Sequence, residues 1–201
     1  MKKMLCKVML YLCVMIFVLS GCGGIVQAAD AYIVYENPHG FDTQAQYMKN
    51  SYSPGAQIYY VRSGNDFVQK WNSLQDVDNL IIMVHGGVEN GKGVLYFYNE
   101  TWNNYSNLNY LGSVVNGNIM LLSCQGGSGG TGSVAYNLSK RGGAGVVCAK
   151  DSAVNYNWIF NRNPDLDNKQ NGEWVKISAV KGRTYRCKSL GTKWSFNFLK
   201  Q

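Results

Sequence analysis

Leu80-Ile81-Ile82-Met83-Val84-His85-Gly86-Gly87 is the stretch that decides the fold. Five consecutive apolar residues, three of them β-branched, read as a strand buried on both faces, as the strands of parallel sheets are. The run stops abruptly at His85-Gly86-Gly87. Two further runs have the same form. Ile119 to Leu122 (IMLL) ends at Ser123-Cys124, and Gly145 to Ala149 (GVVCA) ends at Lys150-Asp151. On the N-terminal side, Ala31 to Tyr35 (AYIVY) and Gln57 to Val61 (QIYYV) are rich in β-branched and aromatic residues and read as two more strands.

Helical segments separate these strands. Thr43 to Asn50 reads as a short helix. Ser63-Gly64-Asn65-Asp66 opens another that runs through Leu74, with Phe67, Trp71 and Leu74 at helical spacing. Tyr105 to Val115 is expected to be helical. A Gly-rich turn leads into a helix from about Gly132 to Arg141, which Gly142-Gly143 stops. After the polar loop that follows His85, Val94 to Tyr98 reads as a strand or hairpin arm. Trp174 to Val180, Thr184 to Lys188 and Trp194 to Phe198 read as C-terminal β-hairpins. Buried strands alternating with helices predict an α/β fold with a central sheet of about five or six mostly parallel strands. Ligands in such sheets sit beyond the carboxyl ends of the strands, where this chain places His85, Cys124 and Asp151.

The N-terminus carries an export signal. Lys2, Lys3 and Lys7 precede an unbroken apolar run from Val8 to Leu19. That run is shorter than the roughly 20 residues a spanning helix needs, and a basic start followed by a short apolar run is how a secretory signal reads. Leu19-Ser20-Gly21-Cys22 resembles the bacterial lipobox, in which the cysteine is lipidated and becomes the new N-terminus. We favour this site over cleavage after Ala28. Residues 1–21 are then the signal and 30–201 a single domain, large enough for a substantial core. The product is expected to be extracytoplasmic, lipid-anchored through Cys22 or secreted.

Loss of the signal removes three lysines and no acid, which lowers the net charge from +7 to +4. That mild, scattered excess gives no nucleic-acid signature. Beyond Cys6, Cys13 and Cys22, the cysteines are Cys124, Cys148 and Cys187. An odd number outside the cell leaves at least one thiol free, for burial or for use.

Cysteine attack on a carbonyl needs a thiolate, a nearby base and donors for the oxyanion. The chain has two histidines, His39 in an Asn-Pro-His-Gly turn and His85 at the strand end. A Cys and a His at the carboxyl ends of neighbouring parallel strands face one cleft. Gly86 leaves the adjacent backbone amide unobstructed, and a helix entry after Cys124 is expected to favour thiolate.

Strand-His85-Gly86, followed about forty residues on by strand-Ser123-Cys124-Gln125-Gly126-Gly127, resembles the caspase-like domain of clan CD cysteine peptidases. That superfamily includes caspases, gingipains, clostripain, legumain, separase and CHAT domains. The resemblance covers roughly Ala31 to Tyr156, and the segments after Asn157 match nothing in it. It implies a three-layer sandwich, Cys124 as nucleophile, His85 as acid and base, and the Gly86 amide, with that of Cys124, as oxyanion donor. The substrate it implies is a peptide or protein, with no cofactor. Asp151 has two readings, a specificity-pocket acid for a basic P1 side chain or a turn residue.

Other literal motifs fit less well. Gly86 to Gly93 approximates a P-loop, but Gly93 stands where Ser or Thr is needed and a strand-like segment follows. Gly126-x-Ser128-x-Gly130 matches a nucleophile elbow, yet no His follows it. Gly127-x-Gly129-x-x-Gly132, with Asp151 beyond, matches a dinucleotide fingerprint and stands as an alternative, although its first Gly falls well past the strand end. A non-catalytic binding or scaffold module of the same fold is the other alternative. Two distant histidines and the lack of a Cys-x-x-Cys pair give no metal-ligand spacing.

Overall fold

In a computed structural model of the chain, the structure describes residues 30–36, 41–75, 77–97, 100–103, 111–112, 115–141, 147–154, 172–178 and 183–187. The elements run β1 (Ala31–Tyr35), α1 (Phe41–Tyr52), β2 (Gln57–Val61), α2 (Gly64–Ser73), β3 (Val77–Met83), β4 (His85–Glu89), β5 (Lys92–Phe97), β6 (Glu100–Asn103), β7 (Val115–Leu122), α3 (Val134–Arg141), β8 (Val147–Lys150), β9 (Trp174–Ser178) and β10 (Arg183–Cys187). The signal segment, Cys22, His39 and the strand expected over Trp194 to Phe198 lie outside the described residues.

The fold is α/β. A seven-stranded sheet has the order β10-β9-β8-β7-β3-β1-β2, and β4-β5-β6 form a separate antiparallel sheet. β2, β1, β3, β7 and β8 are mutually parallel, while β9 is antiparallel to β8 and to β10. The expected buried strands are all present. The C-terminal hairpin of β9 and β10 widens the central sheet and does not form a separate layer.

Crossovers set the layers. The chain moves from β1 to β2 in one direction, then back over β1 to β3 and on to β7 and β8 in the other. Right-handed connections therefore put α1 on one face and α2 and α3 on the opposite face. Contacts agree. Tyr32, on one face of β1, bonds its buried phenol to Ser53 just past α1 at 2.9 Å. Tyr35, on the other face, packs edge-on against Phe97 of β5, whose ring lies 6.1 Å from Phe67 of α2. The point where strand order reverses falls between β1 and β3, so a crevice opens beyond their carboxyl ends.

Two expectations need correction. The stretch Tyr105 to Val115 is not helical at its end. Leu111 and Gly112 are irregular and Val115 already begins β7. The Gly112 carbonyl instead accepts the indole N–H of buried Trp71 at 2.7 Å, fastening this segment to α2. The polar loop after His85 is likewise a strand and a tight turn. Asn90 and Gly91 both have positive φ, +50° and +75°. That is the type I′ geometry which an Asn-Gly pair signals in a two-residue hairpin, so Gly86 to Gly93 is a hairpin and not a phosphate loop.

Helix α2 illustrates how local sequence fixes an element. Ser63 precedes it in extended conformation and its hydroxyl accepts the Asp66 amide at 3.1 Å, while the Asp66 carboxylate reaches back to the Arg62 amide at 2.9 Å. Phe67 and Trp71 then fall on the buried face. Replacing Ser63 by Ala is expected to cost about 1 kcal/mol. A urea titration would register this as a lower midpoint with unchanged slope, and an unchanged midpoint would show the cap to be dispensable.

Candidate functional site

The site is assembled where β3 and β7 end. Their register pairs Ile82 with Leu121 and Met83 with Leu122. Carried one residue further, Val84 lies beside Ser123, and His85 and Cys124 follow on the two strands. Val84 is the sole residue between β3 in the main sheet and β4 in the hairpin sheet. The chain thus turns a corner between two sheets within one residue, and His85 is the first residue past it.

Gly86 makes that corner possible. A Cβ there would overlap the Ser123 hydroxyl and stand 2.8 Å from the Cys124 carbonyl oxygen. The His85–Gly86 backbone therefore lies directly against Ser123–Cys124. Ser123 is buried, and its hydroxyl has no hydrogen-bond partner. Cys124 is a half-buried free thiol. His85 is exposed, its ring 4.8 Å from that of Phe41 and 5.8 Å from that of Tyr35, centroid to centroid.

The Gly86 amide is geometrically free of the hairpin ladder. With a two-residue turn, the bonded cross-strand pairs are Glu89 with Lys92, Gly87 with Val94 and His85 with Tyr96. Gly86 falls between them, opposite Leu95, so its N–H points away from β5. β4 is also the edge of its sheet. A backbone donor thus projects from the corner beside Cys124.

The turn after the thiol is conformationally unusual. The Gly126 amide bonds the Ser123 carbonyl at 3.3 Å, and Gln125, at the third turn position, has φ +55°. Positive φ at that position alone is the type II pattern, which ordinarily takes Gly or Asn. A non-glycine residue held there costs of order 1 kcal/mol. Tertiary bonds hold it, since the Gln125 amide reaches the Ser152 carbonyl at 2.7 Å and the Gly127 amide reaches the Lys150 carbonyl at 2.9 Å. The Cys124 loop is thereby tied to the end of β8.

α3 begins at Val134, and amides of its first turn have partners within the chain. The Ala135 amide bonds the Gly126 carbonyl at 3.0 Å and the Tyr136 amide bonds the Ser133 hydroxyl at 3.1 Å. The glycines of the candidate dinucleotide fingerprint serve packing in this loop. Gly127 lies against Ala149 and Val175, and Gly129 takes φ +94°.

Asp151 lies at the same sheet edge, one strand beyond Cys124. Its carboxylate accepts the Glu173 amide at 2.7 Å, and its own amide bonds the Glu173 carbonyl at 3.0 Å. These bonds close the base of the excursion between β8 and β9, which is the turn role. Beside it, Lys150 is fully buried with its ammonium 5.9 Å above the Trp174 ring. A buried lysine is rare, and nothing in the sequence around Lys150 marks it as one. Among the described residues no group of three His, Cys, Asp or Glu side chains is placed to hold a metal ion.

Comparison with models of known protein families and with curated protein sequences returns no match.

The close approach at Gly86 yields a direct test. Gly86→Ala forces a methyl group onto the Ser123 hydroxyl and the Cys124 carbonyl, and is expected to destabilise the fold by about 1–3 kcal/mol, as overpacking does. Ser123→Ala added to it should recover part of that loss, because the hydroxyl clash disappears while the carbonyl contact remains. Thermal melts of the single and double variants measure both quantities. A Gly86→Ala protein as stable as the wild type would mean that the two strand ends do not touch.

Proposed function

We propose that this chain is an exported cysteine peptidase that hydrolyses peptide bonds through Cys124 and His85. The observation that carries the reading is the seating of the His85–Gly86 backbone against Ser123–Cys124, with Gly86 2.8 Å from the Cys124 carbonyl at the position a Cβ would take. A thiol, an imidazole-bearing backbone and an amide outside the hairpin ladder thus share one corner. The resemblance in motif order to clan CD peptidases supports the same assignment.

The chemistry follows from those groups. The Cys124 thiolate attacks the scissile carbonyl carbon, forming a C–S bond and pushing the π electrons onto oxygen. The Gly86 and Cys124 amides donate to that oxyanion. Collapse expels the amine, which takes a proton from the His85 imidazolium, and leaves a thioester. Water, deprotonated by His85, then attacks the thioester, and departure of the thiolate releases the acid. The substrate is a peptide or protein. Asp151 already holds the Glu173 amide, which favours its turn role over that of a P1 acid.

Purified mature protein incubated with a mixed peptide library tests this. Cleavage is expected, with kcat lowered about 10²–10⁴-fold in His85→Ala and abolished in Cys124→Ala or after iodoacetamide treatment. Cleavage that survives in Cys124→Ala rejects it as the nucleophile. No cleavage, with an unreactive thiol, assigns the chain to the non-catalytic alternative.

Export and anchoring form a separate part of the proposal. The lipobox-like Leu19-Ser20-Gly21-Cys22 supports membrane attachment through a lipid on Cys22. Radioactive palmitate is expected to label the wild-type protein and not Cys22→Ser. An unlabelled product beginning at Ala29 would identify a freely secreted protein.

A further inference from the structure

Proton transfer by an imidazole requires a fixed ring direction. A misplacement of about 1 Å at a reacting group costs on the order of 10²-fold in rate. Two rings flank the His85 imidazole. Tyr35 ends β1 and Phe41 begins α1. Tyr35 meets the imidazole nearly edge-on, at 71°, and Phe41 lies tilted at 51°.

Both rings are themselves buried. Tyr35 is 4 % exposed and Phe41 2 %. Tyr35 packs at 89° against Phe97, which touches Phe67, and Phe67 touches Trp71. An unbroken line of aromatic contacts therefore runs from the helix core of α2 to the imidazole. The acids adjoining these two residues in the chain have partners of their own. The Asp42 carboxylate takes the Tyr60 phenol, and Glu36 pairs with Arg62 at 2.7 Å. On the hairpin side, Tyr96, the cross-strand neighbour of His85, bonds Glu89 at 3.0 Å.

We propose that Tyr35 and Phe41 clamp the His85 imidazole and are positioning residues for its proton transfers. The catalytic consequence rests on the peptidase reading. The clamp itself does not, and its test separates the two. Phe41→Leu keeps apolar volume and removes the ring.

The experiment records the His85 ring-proton NMR signals of the full mature protein, assigned with His39→Gln, beside steady-state cleavage of the best library peptide. The Phe41 and Tyr35 ring currents are expected to displace the His85 signals in the wild type. In Phe41→Leu that displacement should shrink, and kcat should fall about tenfold or more at unchanged KM. Phe41→Tyr, which restores a ring, should return both toward wild-type values. A folded Phe41→Leu with unmoved His85 signals overturns the clamp, and moved signals with unchanged kcat overturn its catalytic role. If the wild type cleaves nothing while its His85 signals still depend on Phe41, the peptidase reading fails and the clamp stands. Should Phe41→Leu not fold, Phe41→Met is read in the same way.

Discussion

The missing Cβ of Gly86 is the constraint on which the site depends. β3 belongs to the parallel sheet and β4 to the hairpin sheet, with Val84 alone between them. Such a sharp exit drives the backbone into the end of the neighbouring strand, β7. Contact is tolerable because Gly86 presents only hydrogen where any other residue would meet the Ser123 hydroxyl and the Cys124 carbonyl. The corner aims the Gly86 amide out of the ladder, and it carries His85 to the aromatic pair at the end of β1. A substitution at this one position would disturb the amide, the imidazole and the thiol loop together.

The hairpin sheet and the thiol loop hold one another in place. Gly93 of β5 lies so close to α3 that a Cβ would stand 2.7 Å from the Val134 amide, and a Cβ on Gly129 would stand 3.2 Å from the Gly91 carbonyl at the hairpin tip. The Gly-rich loop is thus sandwiched between the hairpin on one side and β8 and β9 on the other. Glycine in this segment allows close approach of backbones. The same enclosure maintains Gln125 at positive φ, a conformation that an isolated turn of this sequence would abandon. Stored strain next to the thiol and an unpartnered hydroxyl at Ser123 both mark this turn as expensive to build.

Electrostatic features around the site are local. Glu36 and Arg62 are exposed partners, and each favours the charged form of the other, chiefly through their hydrogen bond. Such exposed pairs add little to stability. Desolvation is the main reason the phenols of Tyr60 and Tyr96 are held above their usual range, with the carboxylates of Asp42 and Glu89 adding to it. These phenols therefore stay neutral and remain donors to their carboxylate partners.

The sequence by itself determined the buried strands of the central sheet, that the sheet is mostly parallel, and that His85, Cys124 and Asp151 follow or end those strands. Those features rest on local hydrophobic patterning, because a strand buried on both faces must be apolar throughout. The Asn90-Gly91 turn is equally a matter of local chemistry, since that pair favours a two-residue hairpin. Tertiary structure alone decided the rest. Phe41 lies far from His85 in the chain, and only the β1–α1 crossover brings their rings together. The amides of α3 are engaged by Gly126 and Ser133, a fact that no count of glycines conveys. Asp151 bonds Glu173, which returns to meet it across a long excursion of the chain. Each of these depends on pairings between residues distant in sequence, and the strand order that creates them is set by packing of the whole sheet and not by any one segment.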